Sequence, residues 1–371
     1  MTSLNQLIQE ADNLPQVPLR ASSAHHERLK EMTSYVDDTL SCHPNIHKFI
    51  GNNPLQVMYD NHRHHGHFMS TVFKIGSYRL LARTLPWVYR AYHAHNFSYD
   101  YFPLELQTWQ LIVEKSLNKE DAAPIRRIYE WMINSHSLVI ELSEQKDISP
   151  IPIDIDWLET KNSFRSAILS SDHKTCLAIA STAVKTSADI EGFYQHILQP
   201  VLYEVGMLWE KAEISVAQEH LASAIVTRVM ASVNLVARES VISCGKVVVA
   251  ASPNEYHEIG ASMISDILER DGWDVAYLGS NVPAVDLLQY LHEFKPKLLA
   301  LSVTIAFNID LTRELITAIR QDEDLKGIMI MVGGRVFNDN EGLWQAVGAD
   351  GFAANLSDAL SLAQTWSGVA K

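Results

Sequence analysis

Glu255-Tyr256-His257-Glu258-Ile259-Gly260 follows the β-branched run Val247-Val248-Val249 and opens an amphipathic run, Ala261 to Glu269. That order reads as strand, loop, helix. A histidine in such a loop stands at the carboxyl end of a parallel strand, where open α/β sheets bind their ligands. A neutral imidazole can offer one ring nitrogen to a metal while a neighbouring carboxylate, here Glu255, orients the other. Gly260 leaves room for a bulky flat ligand to approach the backbone. For the hexapeptide alone a loop histidine without a ligand is the simpler reading, and the surroundings reverse that preference.

Working outward, the text from Lys246 alternates strand and helix. Candidate strands are Val247–Ala251, Asp274–Leu278, Leu298–Ser302, Ile328–Val332 and Gly351–Ala353, with helices near 258–270, 284–293, 308–321, 339–346 and 357–368 between and after them. Five short strands in this rhythm predict a doubly wound, flavodoxin-like parallel sheet over residues 244–371. In that topology the loops after the first, third and fourth strands line one pocket. They carry Glu255–Gly260, Ser302-Val303-Thr304 and Gly333-Gly334. Each is ordinary turn chemistry by itself; the three in this order are far more specific.

Glu-x-His-x-x-Gly, Ser-x-Thr and Gly-Gly together closely resemble the cobalamin-binding signature Asp-x-His-x-x-Gly, Ser-x-Leu, Gly-Gly, over residues 246–371. The resemblance implies that His257 replaces dimethylbenzimidazole as the lower cobalt ligand (base-off/His-on). It also implies that Ser302, Thr304, Gly333 and Gly334 line the channel for the nucleotide tail. Glu255 stands where the signature has Asp, which alters the reach of its bond to the imidazole, and Thr304 stands where it has Leu.

Upstream, residues 151–243 read as a four-helix bundle, with helices near 156–170, 173–183, 187–209 and 214–239. Trp209 is followed, after nine residues, by Glu219-His220. Read alone, Trp209 is as readily a core residue and Glu219-His220 an exposed helical pair. The pattern looks like the upper-face cap of the CarH-type cobalamin photoreceptors. That resemblance implies a light-sensing signalling protein, not an enzyme, binding adenosylcobalamin. The indole of Trp209 would cover the corrin and adenosyl group, Glu219 would accept hydrogen bonds from a ribose, and His220 would ligate cobalt after photolysis. The implied partner is a light-dependent homo-oligomer or a regulator protein. The alternative is the corrinoid carrier protein of a methyltransferase system, which shares the module and the lower histidine.

The N-terminal part predicts an all-helical domain, bundle or globin-like, over 22–150, preceded by a flexible arm, 1–21, that contains Pro15 and Pro18. Helices are expected at about 22–40, 54–75, 77–95 (bent at Pro86), 103–117 and 122–144, and a stiff boundary at 149–152. His62-Arg63-His64-His65-Gly66-His67 and Leu85-Pro86-Trp87-Val88-Tyr89-Arg90-Ala91-Tyr92-His93 stand out. They suit a solvated histidine-rich face, a metal site lacking cysteine or carboxylate partners, or an aromatic enclosure with arginines for a flat dicarboxylate ligand. With the module behind it, the stretch is similar to the photocobilins, which place biliverdin beside cobalamin. That similarity nominates Arg63, His64, His67, Tyr89, Arg90 and His93 as bilin contacts; a bare protein-interaction domain is the competing reading.

The chain has 371 residues and a net charge of −14, of which residues 1–150 contribute −2 and the remainder −12. Such a balance, with no basic recognition helix, excludes a broad nucleic-acid surface and direct DNA binding. No apolar run approaches the roughly 20 residues of a membrane span, and no basic start resembles a signal peptide. Cys42, Cys176 and Cys244 are far apart and lack zinc or redox spacing, the expectation for reduced thiols in a cytoplasmic protein.

Overall fold

Val247 to Ala251 are buried on both faces of an interior strand, as a parallel sheet covered on both sides requires. The computed structural model describes residues 3–145, 154–235, 244–340 and 342–368. The chain divides into two units, Met1–Asp147 and Ile148–Lys371. The expected boundary at 149–152 and the end of the helix expected to reach 239 lie outside the described residues.

The first unit is helical throughout: α1 (Ser3–Asp12), α2 (Leu19–Glu27), α3 (Leu29–Ser41), α4 (Ile46–Ile50), α5 (Leu55–Ile75), α6 (Tyr78–Ala94), α7 (Tyr101–Ser116), α8 (Lys119–Asn134) and α9 (His136–Glu144). The expectation of a flexible arm over 1–21 is corrected. Leu7 and Ala11 share one helical face and are fully buried, and α1 packs on α6 and α9. Arg79 grips Asp12 through two 2.7 Å hydrogen bonds, and the Tyr78 hydroxyl donates to the Pro15 carbonyl at 2.9 Å. The single helix expected over 22–40 breaks at Arg28 into α2 and α3. Helix α6 continues through Pro86. The core holds large rings, with Tyr89, Tyr101, Trp109, Tyr129 and Phe73 all buried.

The second unit begins with α10 (Leu158–Leu169), α11 (His173–Ala183), α12 (Asp189–Phe193), α13 (Gln199–Glu210) and α14 (Val216–Asn234). A π turn, Tyr194–Leu198, links α12 to α13. It precedes Pro200, whose ring crowds the carbonyl four residues back and supplies no N–H, so a wider turn accommodates it. The sheet strands are β1 (Gly245–Ala251), β2 (Trp273–Tyr277), β3 (Leu298–Ser302), β4 (Met329–Gly333) and β5 (Gly351–Ala353). All pair in parallel, in the order β2-β1-β3-β4-β5. The helices after β1 to β5 are α15 (Ile259–Arg270), α16 (Ala284–Phe294), α17 (Ile309–Gln321), α18 (Arg335–Asn338), α19 (Leu343–Ala346) and α20 (Leu356–Ser367).

The bundle is seated on α15, which follows the β1 loop, and on α20, which follows β5. Met263 and Ile267 of α15 and Leu356 of α20 join one apolar cluster with Phe164, Phe193, Ile225 and Val229. The π turn contributes a polar pin, the Tyr194 hydroxyl donating to Asp266 at 2.7 Å. Among the described residues no helix is long and apolar enough to cross a membrane.

Candidate functional site

Strand order places the loops after β1, β3 and β4 side by side, because β3 pairs with both β1 and β4. After β1 the chain turns sharply. The Ser252 N–H donates to the Ser302 carbonyl at 3.0 Å, the Glu255 N–H donates to the Ser252 carbonyl at 3.0 Å, and Asn254 takes a positive φ of 63°. This turn buries the Glu255 side chain and leaves that of His257 58% exposed.

Glu255 is bonded through both oxygens. Oε1 accepts from the His257 N–H at 3.1 Å and from His257 Nδ1 at 2.5 Å. Oε2 accepts from the Thr304 and Ile305 N–H groups, each at 2.9 Å, and from Asn308 Nδ2 at 3.1 Å. Burial pushes the carboxyl pKa up, but the His257 side chain and the backbone donors outweigh it and hold it at about 2. A carboxylate at Nδ1 fixes that nitrogen as the donor and leaves the Nε2 lone pair facing outward. One imidazole nitrogen, oriented at the rim of the sheet, is a donor that a metal ion can use. The extra methylene of Glu255 relative to Asp does not break the bond.

The small residues make the cradle. A Cβ on Gly260 would meet only the Ser302 Oγ, at 4.0 Å, so the start of α15 is open there. A Cβ on Gly333 would lie 2.9 Å from the Ala353 carbonyl oxygen. Gly334 has a φ of 100°, and a Cβ there would lie 2.3 Å from the Val303 carbonyl oxygen. The hydroxyls of Ser302 and Thr304 make no hydrogen bond within the protein among the described residues, and are open to a ligand's polar groups.

The bundle group is separate. Trp209 lies half-buried near the end of α13. A reciprocal capping box starts α14, with Ser215 and Gln218 satisfying one another's backbone N–H. That fixed start sets Glu219 and His220 in the first turns. His220 Nδ1 donates to Glu219 Oε2 at 2.5 Å, and Glu219 Oε1 accepts from the Ser223 hydroxyl at 3.0 Å. His220, with its side chain 75% exposed, thus repeats the arrangement of His257. No hydrogen bond or ion pair joins Glu219–His220 to Glu255–His257 among the described residues.

In the first unit the six nominated residues fall into two unlike groups. Arg63, His64 and His67 are exposed on α5, and Arg63 pairs with Asp60. On α6, Tyr89 is buried and stacked on Phe102 at 3.7 Å between ring centroids, and its hydroxyl lies 3.1 Å from His136 Nδ1. His93 stacks on Tyr99 at 4.1 Å, and Arg90 donates to the Gln145 carbonyl at 3.3 Å. The aromatic rings are therefore packed on one another. Sequence reasoning passes over the inward members of the same helices. His62 is fully buried, with Nδ1 2.5 Å from Asp37 and Nε2 2.7 Å from the Tyr101 hydroxyl. On other helices, His25 of α2 and Glu105 of α7 are buried as well. The phase of α5 holds the signal, since Met58, His62, Met69 and Phe73 share its buried face.

A parallel sheet with a histidine-bearing loop at its switch point, packed against a helical bundle, has the form of a ligand-binding module. Comparison with known proteins gives the cofactor. Residues 245–361 match the B12 binding domain family, and residues 160–234 match a second B12 binding domain family. Both matches support cobalamin as the cofactor of the second unit. The chain is 31% identical over 146 residues to the HTH-type transcriptional repressor CarH of Myxococcus xanthus, covering 38% of this chain and 46% of the repressor. It therefore spans less than half of that relative. The dimethylamine corrinoid protein 1 of Methanosarcina acetivorans is 24% identical over 201 residues, covering 53% of this chain and 92% of that protein. The structure of the Methanosarcina barkeri monomethylamine corrinoid protein shares the fold, with a TM-score of 0.50 at 19% identity over 56% of this chain and 99% of that one.

Proposed function

We propose that this protein is a light-sensing signalling protein that binds adenosylcobalamin base-off, with His257 as the lower cobalt ligand. The observation that carries the lower half of this reading is the Glu255–His257 pair, 2.5 Å apart, which leaves Nε2 as the free nitrogen. An alkylcobalamin bound there supplies a cobalt–carbon bond that visible light breaks. Everything else falls to the chain. Ser302, Thr304, Gly333 and Gly334 take the nucleotide tail. Trp209 covers the upper face and keeps water from it, and Glu219 accepts hydrogen bonds from the ribose. His220, held through Nδ1 by Glu219, would have Nε2 to offer to the cobalt of a bound cobalamin. The bundle's seat on α15 and α20 is the part of the chain that would carry a change at the cofactor to a second copy or to a regulator protein. No bond of a turned-over substrate is made or broken in this scheme, so the protein acts as a sensor and not as an enzyme.

The test is optical. The full chain, reconstituted with adenosylcobalamin, is expected to change spectrum irreversibly under green light, and the His220→Ala variant to give a different final spectrum. A spectrum that stays constant under illumination would refute light sensing while leaving cobalamin binding intact. The second reading, a corrinoid carrier for a methyltransferase, is favoured by the 92% coverage of the dimethylamine corrinoid protein. It predicts instead that methylcobalamin is retained as tightly as the adenosyl form, with an upper face open to exchange.

Biliverdin as a second chromophore belongs to the same proposal. Its support is the concentration of rings and cationic groups on α5 and α6, and its seat requires the Tyr89–Phe102 stack to open. Red absorbance in protein co-produced with biliverdin supports it, and its absence removes it.

A further inference from the structure

We infer that Tyr101 is a one-electron donor site, a buried phenol that gives its electron to an outer-sphere oxidant and its proton to His62. The inference concerns the first unit alone and stands whether or not His257 ligates cobalt. Three helices build the group. Tyr101 opens α7, His62 lies in α5 and Asp37 in α3, and the Tyr101 and His62 rings are fully buried. The Tyr101 hydroxyl donates to His62 Nε2 at 2.7 Å, and His62 Nδ1 donates to Asp37 Oδ1 at 2.5 Å. A carboxylate at Nδ1 makes that nitrogen the N–H donor, so Nε2 carries the lone pair that the phenol meets. The two ring planes differ by only 2°. The Asp37 side chain is 26% exposed, so the far end of the group reaches water while the phenol does not.

Two other tyrosines of this core face a histidine, and neither matches. The Tyr89 hydroxyl lies 3.1 Å from His136 Nδ1, and that of Tyr129 lies 3.4 Å from His65 Nε2. Neither of those imidazoles is hydrogen-bonded to a carboxylate among the described residues. The electron has its own route. Ring contacts run from Tyr101 to Phe102 at 5.9 Å between centroids, to Tyr89 at 3.7 Å, to Tyr99 at 6.2 Å and to His93 at 4.1 Å, and His93 is exposed. An oxidised phenol that keeps its proton is a cation in a dry core, which is costly. Tyr101 alone passes the proton along a short hydrogen bond to a base already paired with a carboxylate, so the hole settles there. In the step the oxidant gains one electron, Tyr101 loses one, and the O–H proton moves to His62 Nε2. The products are a neutral tyrosyl radical and an imidazolium facing the Asp37 carboxylate. The group passes from one net negative charge to none, and no unpaired charge is left buried. Reduction returns the proton along the same bond.

The experiment mixes the full chain with hexachloroiridate(IV), an outer-sphere one-electron oxidant, and follows the tyrosyl radical by freeze-quench electron paramagnetic resonance. Wild type is expected to give a radical that persists after the oxidant is spent, and Tyr101→Phe to lack it. His62→Gln keeps a hydrogen-bond acceptor but takes up no proton, and should form the radical about 100-fold more slowly or worse. Because a change at either buried position can prevent folding, Asp37→Asn supplies a variant at a partly exposed one. It removes the charge that pairs the imidazolium, and should slow the radical's formation by a smaller factor and shorten its life. A folded Tyr101→Phe variant with the wild-type signal would overturn the inference, as would a signal that disappears in Tyr89→Phe and survives in Tyr101→Phe. Wild-type rates in both His62→Gln and Asp37→Asn would also overturn it, since His62 would then hold the phenol in place and take no proton. A wild-type chain that gave no persistent radical would end it outright.

Discussion

Gly334 and Val303 meet backbone against backbone, so closely that a Cβ on Gly334 would sit 2.3 Å from the Val303 carbonyl oxygen. The same glycine has a φ of 100°, which an L side chain rarely adopts. Gly334→Ala therefore carries both a clash and backbone strain, and should lower stability by about 3 kcal/mol or more. Gly260 offers the opposite case. It lies in the first turn of α15, and the nearest atom to its absent Cβ is 4.0 Å away. Gly260→Ala should leave the melting temperature unchanged or higher, since alanine favours helix by about 1 kcal/mol, yet weaken cobalamin binding by filling the approach. Thermal unfolding and cobalamin titration of the two variants measure this. If Gly260→Ala loses as much stability as Gly334→Ala, the contrast between an open glycine and a closely packed one is wrong.

Glu255→Gln keeps the size of the side chain and removes its charge. Whichever way the amide turns, its NH2 group faces donors: Thr304, Ile305 and Asn308 on one side, or the His257 N–H groups on the other. Pairing is lost at a fully buried site, costing about 1–3 kcal/mol of stability. His257 loses the carboxylate that makes Nδ1 the donor, and cobalamin affinity should fall by about 10- to 100-fold. Denaturant titration and cobalamin binding report these two effects separately, and a variant that bound as tightly as wild type would show that Glu255 serves the fold alone.

Much of the second unit is legible in the sequence because its chemistry is local. Valines in a run, a loop with His257, and glycines at Gly333-Gly334 fix strands, turns and a pocket rim without distant information, and the strand order follows from the parallel-sheet rules. The partners of Glu255 are not legible. Three of its donors come from residues 304, 305 and 308, about fifty positions away, and two of them are backbone groups that any residue carries. In the first unit, reading the histidine run as an exposed set favours His64 and His67 over His62, although helical phase turns His62 inward with Met58 and Met69. The expectation of an arm over 1–21 fails because prolines at 15 and 18 outweigh the short stripe of Leu7 and Ala11, which pairs with α6 and α9 only in three dimensions.

His220 is 75% exposed in its side chain and, among the described residues, bonds only to the adjacent Glu219. Its replacement by Ala should change stability by less than about 0.5 kcal/mol and leave adenosylcobalamin binding in the dark as it is. The effect should be confined to the illuminated protein, whose absorption should match one axial imidazole instead of two. Dark affinity and lit spectrum are measured on the same sample. A lit spectrum identical to wild type would remove His220 from the mechanism and leave His257 in place.

His25 provides a pH prediction in the first unit. It is fully buried on α2, edge-on to Phe73 at 5.0 Å, and neither ring nitrogen has a hydrogen-bond partner among the described residues. Burial, helped by neighbouring His26, lowers its pKa from 6.5 to about 3. The unfolded chain therefore takes up a proton below pH 6.5 that the folded chain refuses until about pH 3. Folded stability is unaffected above that window and falls as pH drops through it, by about 1.4 kcal/mol per pH unit. Glu105 works in the opposite direction: burial raises its pKa, so it favours the folded state toward acid and opposes it as pH rises. The difference between wild type and His25→Phe cancels Glu105 and isolates the histidine. Amide exchange in α2 and α5 peptides of the full chain, at about pH 7 and about pH 5.5 with intrinsic rates corrected, reads that difference locally. The variant should gain protection relative to wild type as pH falls, and a difference that stays flat between the two conditions would mean that His25 takes up protons equally in the closed and open states, against the burial argument.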